Sequence, residues 1–192
     1  MASEGTPQRA IDGDYIYFVT FNVLNRRWFF MTSEKASLFG QAVVTCCRIK
    51  NFELLGYCIL PNHVHLLVRK FNNDEMDSQR GLGSLRCDEE TLGNKNSYLY
   101  PQRRRPRRRS TEYSGYTLSH LMHSIKSTFS HALGHGRLWQ HRSNFRIIES
   151  DAYLSNVVPY IRYNYRKMAL PERFGQAPFV YLNDSAIERQ LQ

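Results

Sequence analysis

The sequence lacks several features that would each define a class of protein. Its 192 residues include only four cysteines, and no two of them form a CxxC pair. Cys46, Cys47 and Cys58 fall in apolar runs, where a reduced, buried thiol is usual, so we expect no zinc finger. No stretch approaches the roughly 20 apolar residues of a membrane-spanning helix, and residues 1–15 hold no apolar segment typical of a secretion signal.

Acidic residues are also scarce, and this imbalance indicates an anionic partner. Lys and Arg total 26 against 17 Asp and Glu, which gives a formal net charge of +9. A charge of this sign favours nucleic acid or a membrane surface as the partner. Because the chain has neither a predicted membrane segment nor a predicted secretion signal, we expect a cytoplasmic, nucleoid-associated protein of bacterial type with no membrane partner.

The hydrophobic pattern predicts the order βαββ, insert, αβα. Strands are predicted over residues 15–24, 52–60, 63–69 and 144–149, and helices follow Ser33, Thr117 and Asp151, each an N-cap candidate. This order is typical of an α+β fold, a ferredoxin-like antiparallel sheet sandwich with helices on one face.

One domain is predicted over residues 15–170, between tails at 1–14 and 171–192. Within it, residues 71–116 are poor in apolar residues and are predicted to form a flexible basic insert. The insert contains six closely spaced arginines: Arg103, Arg104, Arg105, Arg107, Arg108 and Arg109. They are expected either to bind DNA phosphates or to remain a solvated segment with only non-specific attraction.

Two histidines lie on one side of the third predicted strand. Successive side chains of a strand point to opposite faces, so Val64 and Leu66 share one face while His63 and His65 share the other. The two histidine backbones are then about 6 to 7 Å apart, and both side chains can reach one divalent ion. Alternatively, the pair is an ordinary set of half-exposed, hydrogen-bonded strand residues.

The last predicted helix places a phenol and an amide on one face. Tyr160 and Asn164 are four residues apart, so they lie one above the other, away from the apolar stripe that includes Ile161. An amide oxygen suits Mg²⁺ or Mn²⁺, which keep several waters and accept phosphate oxygens. The alternative for Tyr160 is a packing aromatic with a solvated hydroxyl.

These residues resemble a known family. The segment LPNHVHLLV at residues 60–68, followed about 95 residues later by YIRYN at 160–164, resembles the single-tyrosine HUH transposases. The resemblance is closest to the REP-associated tyrosine transposases of the insertion-sequence 200-like superfamily. The segments SIKS at 124–127 and GRLWQHR at 136–142 are similar to the family's lysine-bearing helix and tryptophan-glutamine turn, and the resemblance covers about residues 15–170.

The resemblance implies an HUH-type nuclease core, a chemistry and a set of roles. His63, His65 and Asn164 would bind a divalent metal, Mg²⁺ or Mn²⁺, and Tyr160 would be the nucleophile that forms a 5′-phosphotyrosine. The implied activity is single-stranded DNA cleavage and strand transfer at hairpins, as in DNA transposition and recombination. The family resemblance implies a monomer, and a dimer that exchanges the tyrosine helix stays open. Two other hypotheses are a non-catalytic hairpin-DNA-binding chromosomal protein and an RNA-binding sandwich.

Two departures from the family pattern concern the tyrosine helix. Pro159 directly precedes Tyr160, and Tyr165, Arg166 and Lys167 replace the family's usual Pro-Val-Arg after the asparagine. The proline predicts either a kink or a helix that begins at that point. Tyr163 is a weaker rival for the nucleophile because it points in a different direction around the helix from Asn164.

Further residues flank the proposed centre and are predicted to position DNA: Lys126, Arg137, Trp139, Arg142, Arg146 and Arg162. The alternative for the five cations is a role in surface solubility. Trp139 is predicted either to stack on a base or to fill the edge of the core.

Overall fold

Residues 15–71 and 116–191 are described by the computed structural model of the chain. The strands are β1 (Ile16–Asn22), β2 (Phe52–Leu60), β3 (His63–Lys70), β4 (Asn144–Ile148) and β5 (Val180–Leu182). The helices are α1 (Ser33–Lys50), α2 (Leu118–Ala132), α3 (Asp151–Lys167) and α4 (Asp184–Glu188), with 3-10 turns at Leu24–Arg26 and Glu172–Gly175. The predicted N-terminal tail and the six insert arginines lie outside the described residues.

The five strands form one antiparallel sheet in the order β4-β1-β3-β2-β5. β1, α1, β2, β3, α2 and β4 follow one another along the chain in the ferredoxin-like pattern, and β5 is added beyond β2. The predicted α+β class and antiparallel sheet are confirmed. No described helix has both the length and the apolar character required to cross a bilayer.

Both faces of the sheet are covered by helices. Val19, Val64 and other inward residues of β1 and β3 pack with α1 and α2, which lie on one face as predicted. Cys58 and Leu67 point to the opposite face, where they pack against Ile161 of α3. Alternation along β3 thus puts His63 and His65 on the α3 side, because they share a face with Leu67.

Helix α3 runs without interruption through Pro159. It begins after Ser150, whose Oγ accepts a hydrogen bond from the backbone nitrogen of Tyr153 at 3.2 Å. The N-cap is therefore Ser150, one residue before the predicted Asp151. A helix that begins at Pro159 is ruled out, so Tyr160 and Asn164 are part of one long amphipathic helix whose buried stripe includes Leu154.

Residues 171–192 were predicted to be a tail, and the described part, up to residue 191, corrects this. β5 pairs with the edge strand β2, and Ile187 of α4 is buried against the α3 side of the sheet. Arg162 of α3 also forms an ion pair with Asp184 at 2.8 Å. The edge of β2 explains the difference, because an edge strand offers unpaired backbone N–H and C=O groups with which a later segment can pair.

Candidate active site

The two histidines of β3 lie side by side on the sheet face that α3 covers. Their ring centroids are 4.9 Å apart, and the rings are nearly perpendicular. His65 is 6% exposed and pairs in register with Thr20 of β1, while His63 is half-buried and pairs with Asn22. The predicted juxtaposition of the two imidazoles is present in the structure.

Hydrogen bonds occupy the Nδ1 atom of each histidine. The Nδ1 of His63 donates to Oδ1 of Asn62 at 2.6 Å, and Nδ1 of His65 shares a hydrogen bond with the Thr20 hydroxyl at 2.9 Å. An amide oxygen can only accept, so the proton of neutral His63 resides on Nδ1 and the Nε2 lone pair stays available. The bond to Asn62 therefore fixes the tautomer of His63 in which Nε2 can bind a metal ion.

Burial keeps both imidazoles neutral at physiological pH. It lowers the pKa of His65 to about 3, and the neighbouring His63 adds to this effect. Burial also lowers the pKa of His63 to about 4, with a smaller contribution from the charge of Arg26. Because only the neutral imidazole binds a metal ion, the folded protein holds both groups in the competent form.

Tyr160 lies against His65, with the two ring centroids 5.2 Å apart. Its hydroxyl is 3.3 Å from Nε2 of His65, the nitrogen that the Thr20 hydrogen bond leaves available. Phe18 stacks on the His65 ring at 5.2 Å and meets the Tyr160 ring edge-on at 5.9 Å. Lys167, two turns further along α3, places its ammonium 4.4 Å above the Tyr160 ring.

The rival tyrosine lies on another side of α3. Tyr163 is 46% exposed, and its ring faces the guanidinium of Arg166 at 4.8 Å. The helix therefore brings Tyr160, and not Tyr163, to the histidines, as the four-residue spacing to Asn164 predicted.

Asn164 is buried beside the histidine pair. It is 4% exposed, and its Nδ2 contacts Sγ of Cys58 at 4.0 Å. Cys58 is the register partner of His65 on β2, so Asn164 lies over the strand adjacent to the pair. Burial raises the pKa of Cys58 to about 12, which keeps this thiol protonated. Because a protonated thiol is a poor metal ligand, the amide oxygen of Asn164 is the better ligand for a cation.

The donor set fits an open magnesium or manganese site. Within residues 15–71 and 116–191, no three His, Cys, Asp or Glu side chains are grouped as metal ligands. Asn22, opposite His63, contributes a buried Oδ1 that has no hydrogen-bond partner. Two imidazoles among neutral oxygens fit an ion that completes its shell with water and phosphate, and they would make a poor permanent zinc site.

The predicted DNA-positioning cations lie in different settings. Arg137, Arg142 and Arg146 are exposed, and Arg146 pairs in register with Phe18, which places it on the histidine face of the sheet. Lys126 is half-buried, and its ammonium donates to the backbone oxygen of Gln140 at 2.9 Å. Burial lowers the pKa of Lys126 to about 8.

Trp139 fills the core and offers no face to a DNA base. It is 6% exposed, and its ring lies 5.6 to 5.9 Å from those of four phenylalanines: Phe21, Phe30, Phe39 and Phe129. The prediction that it stacks on DNA is wrong for this conformation, and the alternative, a core position, is correct. The nearby isolated bridge between Trp139 and Val23 explains the difference, because it fixes this segment against the end of β1.

Sequence reasoning missed the contribution of β1. Phe18, Thr20 and Asn22 alternate along one face of β1, and the pairing with β3 sets Thr20 against His65 and Asn22 against His63. The alternation was readable, but the register between the two strands was not, because a slip of one residue would have reversed the faces.

Comparison with known proteins agrees with this architecture. A solved structure of a REP-associated tyrosine transposase bound to a REP hairpin matches with a TM-score of 0.63 and 20% sequence identity, over 99% of this chain and 88% of that chain. A provisionally named transposase from Deinococcus radiodurans R1 matches with a TM-score of 0.42 and 11% identity, over 82% of this chain and 95% of that chain. No family model and no curated protein sequence matches.

The fold is thus a mixed α+β transposase fold. More narrowly, the chain has the fold of a REP-associated tyrosine transposase, as the sequence resemblance predicted.

Proposed function

We propose that this protein is a metal-dependent single-stranded DNA endonuclease and strand transferase that acts at DNA hairpins of the repetitive extragenic palindrome type. The observation that supports it best is the position of the Tyr160 hydroxyl, 3.3 Å from Nε2 of His65 and beside a second imidazole. The similarity to the fold of a hairpin-bound tyrosine transposase supports the choice of substrate.

His63 and His65, through Nε2, and Asn164, through its amide oxygen, are the residues that would hold Mg²⁺ or Mn²⁺. Such an ion polarises a phosphate and favours a phenolate over a phenol, whose ordinary pKa is near 10. The hydrogen bonds of Thr20 and Asn62 engage the Nδ1 atoms of the two histidines and so restrain the orientation of both rings.

The reaction begins when Tyr160 Oη attacks the scissile phosphorus. A bond forms between this oxygen and phosphorus, the bond from phosphorus to the 3′ oxygen breaks, and the phenol proton is lost to solvent while the 3′ oxygen gains one. The product is a 5′-phosphotyrosine with a free 3′-hydroxyl. A second 3′-hydroxyl can reverse the step without a nucleotide cofactor, because the phosphodiester is conserved.

The residues around Tyr160 hold it for this attack. Phe18 contacts both the tyrosine and His65, and the buried stripe of α3 fixes the helix that carries the hydroxyl. Because the tyrosine is already positioned, less entropy is lost on reaching the transition state, and the activation free energy is lower. Because one chain supplies the tyrosine and both histidines, we infer that the protein acts as a monomer without exchange of α3.

The test is formation of a covalent adduct with a labelled hairpin oligonucleotide in Mn²⁺. The wild type and the matched control Tyr163→Phe are expected to give an adduct that survives denaturation, and Tyr160→Phe is expected to give none. EDTA should abolish the adduct while hairpin binding persists. An adduct of full yield in Tyr160→Phe would refute the assignment of the nucleophile.

The second candidate is a hairpin-binding chromosomal protein without catalysis. It is favoured by the small number of ligating side chains, since within residues 15–71 and 116–191 no three His, Cys, Asp or Glu side chains are grouped as metal ligands. Tight hairpin binding with no cleavage in either Mg²⁺ or Mn²⁺ would support this candidate over the enzyme.

A further inference from the structure

An exposed basic segment follows β1, and nothing in the proposed reaction uses it. We call residues 24–28, with the sequence LNRRW, the basic loop. Trp28 is 59% exposed, whereas the protein's other tryptophan, Trp139, is 6% exposed. Arg26 and Arg27 are exposed as well. A large aromatic ring left in water next to cations is typical of a binding surface.

Backbone hydrogen bonds fix the basic loop next to the histidine pair. The backbone nitrogens of Phe29 and Phe30 donate to the oxygen of Pro61 at 2.7 and 3.0 Å, and that of Val23 donates to the oxygen of Asn62 at 3.0 Å. Pro61 and Asn62 directly precede His63 in the chain. The loop is therefore held at both of its ends against the turn that leads into the proposed metal site.

The loop also adopts an uncommon backbone conformation. Asn25 and Arg26 have φ values of 57° and 50°, in the left-handed region that residues other than glycine seldom adopt. Asparagine tolerates this region, but arginine adopts it at a cost in free energy. The hydrogen bonds at both ends of the loop hold Arg26 in this conformation. Strain of this kind is concentrated at ligand-binding sites in proteins.

We propose that the basic loop binds single-stranded DNA beside the cleavage centre, with Trp28 stacked on one base and Arg26 in contact with a phosphate. An indole face pairs well with any nucleic-acid base, and a guanidinium pairs with a phosphate oxygen. In a duplex the bases already stack on one another, so the exposed ring selects an unpaired nucleotide. The placement of that nucleotide near the scissile phosphate rests on the proposed function.

The first test measures binding in EDTA, where no cleavage interferes. Fluorescence anisotropy with a labelled single-stranded oligonucleotide is expected to show that Trp28→Ala weakens binding by about 5- to 150-fold, the loss expected for one stacked base. Trp28 is exposed, so the variant should keep the thermal stability of the wild type. Intrinsic fluorescence of the wild type should be quenched by the oligonucleotide, while the variant, which retains only the buried Trp139, should show almost no quenching.

The second test separates the phosphate contact from general charge. Arg26→Ala should reduce the slope of log K against log salt by about one. Arg48→Ala removes an exposed arginine from the last turn of α1 and serves as the matched control, with an unchanged slope. Equal slopes for Arg26→Ala and the wild type would overturn the assignment of Arg26.

The outcomes distinguish this proposal from the proposed function. If Trp28→Ala binds like the wild type while the wild type still forms the covalent adduct, the loop proposal fails and the catalytic one stands. If no adduct forms but Trp28→Ala weakens binding, the loop proposal stands alone. An oligoribonucleotide of the same sequence that binds as tightly as the DNA would overturn the assignment of DNA as the ligand.

Discussion

The protein should lose stability in mild acid because its histidine pair resists protonation. An unfolded histidine binds a proton with a pKa near 6.5, whereas burial lowers the pKa of His65 to about 3 in the folded state. Between these values the unfolded chain holds one more proton than the folded one. The free energy of unfolding therefore falls as the pH drops from 6.5 towards 3, and at higher pH His65 contributes no pH dependence.

The size of the effect follows from the same shift. From pH 7 to pH 5, His65 removes about 2 kcal/mol from the free energy of unfolding. His63 adds a smaller amount, because it is only half-buried and solvent screens its charge. In a protein of this length, the His65 contribution corresponds to a fall in Tm of about 4 to 8 °C.

The assay compares thermal unfolding of the wild type and His65→Asn at pH 7 and pH 5, with EDTA present throughout. Asparagine has no titratable group and can retain a hydrogen bond to Thr20. The variant should lose about 4 to 8 °C less than the wild type between the two pH values, whatever its Tm at pH 7. Equal losses in the two proteins would refute the reasoning.

Three other outcomes are expected. Phe18→Leu removes the ring that contacts both His65 and Tyr160, so adduct formation should slow by about 10- to 100-fold with hairpin binding unchanged; equal rates would contradict it. Deletion of residues 176–192 removes β5 and the buried Ile187, and urea denaturation should show a loss of several kcal/mol, whereas an unchanged midpoint would restore the tail interpretation. Lys126→Met should reduce the slope of log K against log salt for DNA binding by about one at pH 7. Burial lowers the pKa of Lys126 to about 8, so deprotonation removes its charge at pH 9, and the slope of the wild type should then approach that of the variant. A difference that persists at pH 9 would contradict this.

Local periodicity was enough to predict most of the helices and strands and the main residues of the candidate site. Alternation along β3 placed His63 and His65 on one face, and the four-residue spacing placed Tyr160 and Asn164 on one side of α3. Thr117 was predicted as an N-cap, and its hydroxyl accepts a hydrogen bond from the backbone nitrogen of His120. Each of these features depends on contacts within a few residues, which a single sequence specifies.

The features that sequence reasoning missed depend on distant contacts. β5 has three residues, too few for a periodic pattern, and its pairing with β2 decides that it is a strand. Trp139 follows a turn in the sequence, yet an aromatic cluster from β1, α1 and α2 encloses it. The exposure of Trp28 likewise depends on a distant contact, the hydrogen bonds from the backbone nitrogens of Phe29 and Phe30 to the oxygen of Pro61.

The helix that carries Tyr160 also seals one face of the sheet, and this restricts how the tyrosine can move. Lifting α3 from the sheet would return Leu154, Val157 and Ile161 to water, at about 1.5 to 3 kcal/mol for each side chain. The total, about 5 to 9 kcal/mol, is comparable to the entire stability of an ordinary domain. In the proposed reaction, the tyrosine joined to DNA would therefore shift by rotation about its own side-chain bonds, and any larger displacement during strand exchange would have to come from the DNA.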